Sequence, residues 1–302
     1  MKIALFLATK KGYFCLLKLI ENKEKSNIAF VTSFNESNVD KDYEPDIKSL
    51  CINHSIKYYH WKDIRLSLSN VIIDHNVSLS FAIGWKFIIS SIINEITTHG
   101  LIVFHDSLLP KYRGFAPTAT AIICGEKTIG VSAIQAGNNA DEGDIILQKE
   151  MNISDDEYIS DIIDRQCSIY YEMLIEIINK ATKNSLSFMK QDDSKATFSL
   201  WRNPSDCHID WSKSSVEIRN LIRAVASPFP GAYSFYKGEK IIINRATLLP
   251  DLTFAIRDYG KLWNVNGFEA SVVCGSGLLQ INSASYENGT PVIFDRLRER
   301  LC

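Results

Sequence analysis

His105 closes the apolar run Leu101-Ile102-Val103-Phe104, so a strand would deliver it at its carboxyl end, where open α/β sheets bind their ligands. Imidazole there can exchange a proton near neutral pH and can donate to a developing oxyanion. The stretch that follows, from Asp106 through Pro110 to Gly114, has the backbone punctuation of an ordered loop walling a site. About 36 residues after the histidine comes an acidic turn, Ala140-Asp141-Glu142-Gly143-Asp144. That distance lets the chain return through a helix and a neighbouring strand to the same sheet edge. A histidine at a strand end is also a common structural residue, and an aspartate before glycine also stabilises turns, so both readings stand on these residues alone.

The elements that must position these groups are legible from periodicity. Short apolar runs at Ile3 to Leu7, Ile28 to Val31, Val71 to Ile73, Leu101 to Phe104 and Val131 to Ala136 predict strands, alternating with helical patterns through roughly the first 180 residues. Ser154 and Glu157 have capping-box spacing, and apolar residues then recur from Ile159 to Ile178, which predicts one long amphipathic helix over Ser154 to Thr182. Residues 183–206 turn polar and irregular, as a linker does, which places a boundary near Leu200. Beyond it Val216 to Val225 reads as a helix. Ala232 to Tyr236, Lys240 to Arg245, Leu262 to Val265 and Leu278 to Ile281 read as short strands of a small β-barrel. The expectation is an α/β domain over 1–200, with a Rossmann-like, mostly parallel sheet and helices on both faces, followed by an OB-like β-barrel over 201–302.

Composition excludes several partner classes. A net charge of -2 provides no broad basic surface for a long nucleic acid. The seven cysteines are scattered and lack C-x-x-C pairs, which fits a reducing cytoplasm and neither a disulfide framework nor a zinc site. His54, His60, His75, His99 and His208 have no ligand-like spacing, so no metal is expected. The opening MKIALFLATKKGYF reads as a first strand rather than a signal peptide, and no run of about 18 uncharged apolar residues suggests a membrane span.

His105, Ser107-Leu108-Leu109-Pro110, Arg113-Gly114, Ala116-Pro117, Gly130-Val131 and Asp141 with Gly143-Asp144 together resemble the formyltransferase superfamily, which includes methionyl-tRNA formyltransferase and the sugar N-formyltransferases. The resemblance continues through Ile209-Asp210-Trp211-Ser212, Ile222-Arg223-Ala224-Val225 and Pro228 to Tyr233, and so covers almost the whole chain. It implies formyl transfer from 10-formyltetrahydrofolate to an amine, with His105 as general base or oxyanion donor and Asp141 orienting it. It also implies a folate site along Ser80 to Ile88, with Phe81, Ile83, Gly84, Trp85 and Lys86 as contacts and Asn138 and Asn139 beside them. Ser107, Leu108, Lys111 and Arg113 fall on the substrate side, and a homodimer is plausible from relatives.

Two departures bear on activity. Family members usually carry asparagine two positions before the histidine, where this chain has Val103, and a lost oxyanion donor can cost on the order of 100- to 1000-fold in turnover. Asn138, Asn139, Ser107 and Lys111 are candidates to compensate. Asp106 stands where relatives often have glycine, and its carboxylate would disfavour an oxyanion while raising the histidine's pKa. For the acceptor, the segment TSFNESNVDKDYEPDIKSLC is short and acidic, whereas the transfer-RNA enzymes resemble one another in a longer basic insertion there. The expectation is therefore an amine on a nucleotide-linked amino sugar; methionyl-tRNA, simple hydrolysis of the folate, and a lapsed folate-binding relative stay open.

Overall fold

In the computed structural model, which describes residues 1–37 and 40–302, the chain divides into two compact units. One comprises Met1–Pro117, Thr128–Asn152 and Ile162–Leu200; the other comprises Thr118–Lys127, Ile153–Asp161 and Trp201–Cys302. The second unit thus takes two short segments from within the first 200 residues besides everything after Leu200.

The first unit holds strands β1 (Ile3–Leu7), β2 (Ile28–Ser33), β3 (Tyr58–His60), β4 (Leu79–Ile83), β5 (Leu101–His105), β6 (Arg113–Gly114), β7 (Thr128–Gln135), β8 (Ile145–Asn152) and β9 (Phe198–Ser199). Helices in chain order are α1 (Thr9–Glu21), α2 (Glu44–Asn53), α3 (Trp61–Ile64), α4 (Leu68–Asp74), α5 (Ile93–Ile96), α6 (Pro117–Ile123), which from Thr118 on belongs to the second unit, and α7 (Ile159–Thr182), which belongs to the first from Ile162 on. Seven strands form one sheet in the order β3-β2-β1-β4-β5-β7-β8, parallel from β3 to β5 and antiparallel across β5-β7 and β7-β8. Central β1 and β4 are buried along their whole length, as a sheet covered on both faces requires. Strand alternation divides the core. Ile3, Leu5 and Leu7 meet Leu16 and Leu19 of α1 and Tyr170, Leu174 and Ile177 of α7, whereas Ala4 and Phe6 meet Trp61, Ile64, Leu68 and Ile72 on the other face.

Three expectations are corrected. Val71 to Ile73 is the middle of helix α4, since three apolar residues cannot by themselves separate a strand from a helix face. Helix α7 starts at Ile159 rather than Ser154: the Ser154 backbone N–H donates to the Glu157 carboxylate at 2.6 Å and closes a separate turn, and the Tyr158 N–H donates to Asp161 at 2.9 Å at the helix entry. Strands β3, β4, β8 and the C-terminal β13 were not expected; β8 is an edge strand with a mostly half-exposed middle, so its apolar signal is weak.

In the second unit, helix α8 (Ser215–Ala224) starts at a capping box in which the Ser214 hydroxyl accepts from the Glu217 N–H and the Glu217 carboxylate accepts from the Ser214 N–H. Strands β10 (Ala232–Tyr236), β11 (Glu239–Leu249), β12 (Leu262–Asn266), β13 (Glu269–Val273) and β14 (Leu278–Tyr286) form an antiparallel sheet in the order β10-β11-β14-β13-β12. Its edges are joined through the chain's tail. The Phe235 N–H donates to Cys302 O at 2.8 Å on the β10 side, and the Leu301 N–H donates to Gly260 O at 2.8 Å beside β12.

Candidate active site

Strand β5 delivers His105 at its carboxyl end, and the turn between β7 and β8 brings Asp141 to it. His105 Nδ1 lies 3.3 Å from Asp141 Oδ1, and its Nε2–H donates to the Tyr112 carbonyl at 2.8 Å. Both ring nitrogens therefore face acceptors, an arrangement that only the doubly protonated ring satisfies fully. The residue is buried, at 7% exposure. Burial works against its charge, but Asp141, the Tyr112 carbonyl and the neighbouring Asp106 outweigh it and raise the imidazole pKa above 6.5. Burial likewise opposes the Asp141 carboxylate, yet His105, the Gly114 N–H and Arg113 hold its pKa below 3.8.

The backbone around Asp141 is held in a strained form. Asp141 has φ +59°, a left-handed conformation that aspartate tolerates better than most residues. Its second carboxylate oxygen accepts the Gly114 N–H at 2.9 Å. Gly114 itself has φ +103°, and a Cβ there would stand 2.5 Å from the Ser199 carbonyl, so the pairing of β6 with β9 requires glycine. Gln191 completes the clamp: its amide nitrogen donates to the carbonyls of Asp141 at 2.8 Å and Gly143 at 2.7 Å, and its amide oxygen accepts from Arg113. Arg113 also pairs with Asp193 at 2.6 Å.

The loop after His105 is fixed with equal density. Ser132 of β7 accepts the Leu109 N–H at 3.0 Å and donates to the Ser107 carbonyl at 2.6 Å, and Gln148 of β8 donates to the Leu109 carbonyl at 2.9 Å. Leu108 lies against Gly130, where a Cβ would meet it at 2.4 Å.

The expected substrate residues divide accordingly. Ser107 is buried and donates to the Lys111 carbonyl at 2.6 Å, and Arg113, 4% exposed, is spent on Gln191 and Asp193, so these two side chains build the loop. Lys111 is exposed. Of the expected folate contacts, Phe81 and Ile83 are fully buried in β4, where only their backbone could meet a ligand; their strand pattern puts both side chains into the α1–α7 core. Gly84 turns at φ +63°, with Thr9 and Ala8 so close that a Cβ would lie 2.3 and 2.5 Å from them. Trp85 enters an aromatic group with Phe6, Phe34, Trp61 and Phe87, and its buried indole N–H has no partner among the described residues. Lys86 lies 4.7 Å over the Phe34 ring. Asn138 accepts from Ser91 at 2.8 Å, which ties the acidic turn to the chain following Trp85, while Asn139 donates to Glu142 at 2.7 Å.

Val103 pairs with Ala82 and Ile134 and packs against Leu109 and Ile134, on the same strand face as His105 and without a donor to offer. Sequence reasoning missed Gln191, which lies in the segment read as a linker, and Tyr112, whose contribution is a backbone carbonyl. It also missed Lys11 and Tyr170, which bind Asp106 from helices far apart in sequence. Among the described residues there is no cluster of three metal-ligating side chains and no helix long and apolar enough to cross a membrane.

Residues 1–178 match the family model described as formyl transferase, and residues 202–295 match the model described as formyl transferase, C-terminal domain. The methionyl-tRNA formyltransferase of Alkaliphilus metalliredigens is 32% identical over 251 residues, 82% of this chain and 78% of that protein. An N-formyltransferase structure from Helicobacter canadensis, in complex with folinic acid and dTDP-3-aminofucose, superposes with a TM-score of 0.69 at 19% identity, covering 97% of this chain and 100% of that one. WlaRD, a sugar 3N-formyl transferase solved with dTDP and 5-N-formyl-THF, gives 0.68 at 19% identity over 98% and 99%. At that identity the likeness to both structures is one of fold.

Proposed function

We propose that this chain, which belongs to the formyl transferase family, moves a formyl group from 10-formyltetrahydrofolate to the amine of a nucleotide-linked amino sugar. The observation that carries the reading is the buried His105–Asp141 pair at the carboxyl end of β5. A neutral amine attacks the formyl carbon, the carbonyl oxygen becomes an oxyanion, and collapse breaks the bond to N10 of the folate. A protonated His105 answers both ends of this sequence. Its Nε2–H, now on the Tyr112 carbonyl, donates to the oxyanion once the formyl oxygen takes that carbonyl's place, and the proton then passes to the departing N10. The proton released by the attacking amine restores the ring. Asp141 fixes the ring's plane and its charge.

The sugar acceptor is supported by three features. Two structures of N-formyltransferases solved with dTDP or dTDP-3-aminofucose share this fold over 98% and 97% of the chain; the net charge of -2 supplies no overall excess of positive charge for transfer RNA; and the segment after β2, of which Asn38 and Val39 lie outside the described residues, is short and acidic. Methionyl-tRNA is the second reading, favoured by the 32% identity to an enzyme of that name. With seven free cysteines the chain suits a reducing cytoplasm.

The test mixes purified protein with 10-formyltetrahydrofolate and either a panel of nucleotide-linked amino sugars or methionyl-tRNA, following released tetrahydrofolate and product mass together. A sugar gaining one formyl group, with the activity lost in His105→Ala, supports the reading. Formylated methionyl-tRNA alone would transfer the assignment to the second acceptor. Folate release without a formylated product would make the protein a hydrolase, and no release at all a lapsed relative.

A further inference from the structure

Asp106, immediately after the catalytic histidine, is tied from two sides. Lys11 of α1 places its Nζ 2.5 Å from Asp106 Oδ2, and Tyr170 of α7 donates its hydroxyl to Asp106 Oδ1 at 2.5 Å. Lys11 Nζ also lies 5.3 Å over the Tyr170 ring, and that ring stacks on Phe104 at 5.0 Å. The lysine side chain is 9% exposed and Tyr170 is 1% exposed. An ammonium so far from water is retained only against a partner charge, and Asp106 is its ion-pair partner here. Burial alone would push the Asp106 carboxyl up; Lys11 and Tyr170 more than offset that and hold it below 3.8, so it remains a carboxylate beside His105.

We propose that Lys11 is a positioning residue for formyl transfer, one that fixes Asp106 against α1 and sets how much uncompensated negative charge His105 meets from the carboxyl end of its own strand. The inference rests on His105 as the reacting group in the function proposed above. Two carboxylates flank the histidine, and they are handled differently. Asp141, from the β7–β8 turn, contacts the ring directly with Arg113 behind it, whereas Asp106 carries its own cation from α1. Other titratable groups around this network are Tyr170 and Cys167 of α7 and Cys15 of α1, all held neutral by burial, and Lys10 of α1 and Asp164 of α7, which pair with each other across the same two helices. With Lys11 present, Asp106 does not set a second full negative charge against the oxyanion, which removes the conflict that a carboxylate at this position otherwise creates.

The sign of the response separates this role from simple support. Lys11→Met removes the ammonium paired with Asp106 and is expected to raise the apparent pKa of His105 by about one pH unit, while Asp106→Asn removes the carboxylate and keeps the Lys11 charge, and is expected to lower it by about as much. Lys11→Met/Asp106→Asn together should return it close to the parent value. Tyr170→Phe changes no charge and should leave it in place. The readout is the pH profile of kcat/KM, with the His105 ring resonance titrated by NMR in the same proteins, assigned against His105→Gln. The NMR titration does not depend on turnover, so it still decides the proposal if the formyl-transfer reading fails. Shifts of equal sign in the two single variants, or no shift in either folded protein, overturn it. Should one single variant not fold, the sign of the shift in the other, set against an unshifted Tyr170→Phe, still decides whether charge rather than shape is what is balanced; no shift there overturns the proposal.

Discussion

Asp141→Asn removes a charge and little else, which makes it the sharpest perturbation of the proposed catalytic pair. Asparagine is nearly isosteric, tolerates the left-handed conformation at φ +59°, and can still accept the Gly114 N–H. At 3.3 Å and an effective dielectric near 20, opposite unit charges attract by about 5 kcal/mol. The Asp141 side chain is 14% exposed, and the amide keeps a dipole toward the ring, so we expect about half of that to be lost, roughly 2 to 3 kcal/mol. Expressed on the imidazolium that serves the transition state, this is a fall of about 30- to 150-fold in kcat/KM and a drop of about two pH units in the His105 pKa. The assay is tetrahydrofolate release with a formylated product across pH 5 to 10, in which the alkaline limb should move toward lower pH. Turnover within threefold of the parent, with the alkaline limb unmoved in a protein of unchanged fold, would refute the idea that Asp141 acts through the charge of the ring.

Gln191→Ala takes away both amide contacts to the turn and one partner of the buried Arg113; we expect about 1 to 2 kcal/mol of lost stability and about a tenfold lower kcat, with faster amide exchange confined to residues 140–144. A stability loss without any kcat change would show that the turn keeps its shape unaided. Val103→Asn introduces a donor on the His105 face of β5, and the expected gain is about tenfold in turnover, offset by about 1 to 2 kcal/mol of stability as a polar group enters the packing around Leu109 and Ile134; unchanged turnover would mean the contact is already made elsewhere. Thermal stability against pH carries a definite sign. The lowered Asp141 value means its contribution is present above pH 3.8 and is lost as pH falls through the folded value. The raised His105 value means its contribution is complete below pH 6.5 and is lost as pH rises through the folded value. The pair should therefore stabilise most between about pH 4 and 6.5, and the difference in melting temperature between parent and Asp141→Asn should narrow on either side of that window.

How far the sequence carried depended on where the physical signal was local. Fully apolar runs such as Ile3 to Leu7 announce a central parallel strand, and His105 at the end of another such run announces a group at the sheet's ligand edge, because burial on both faces leaves no other composition open. Val71 to Ile73 failed for the complementary reason: Ile72 is buried and Ile73 is 56% exposed, which is one helical face, yet the run is too short for the period to show. The long-range parts of the site leave no local trace at all. Gln191 sits among polar residues with no period, and what makes it part of the site is that Asp141 needs its carbonyl held while its φ is positive, a requirement created 50 residues upstream. Lys11 is read as a solvated charge at the start of an amphipathic helix until Asp106 and Tyr170 enclose it, and Asp106, taken alone, looks like an obstacle to the chemistry. A residue's charge can be read from sequence, but whether that charge is compensated depends on which distant elements the topology brings against it. In this fold the sheet order β2-β1-β4-β5 sets α1 and the end of β5 near enough for one ion pair to span them, and that adjacency decides the electrostatics His105 works in.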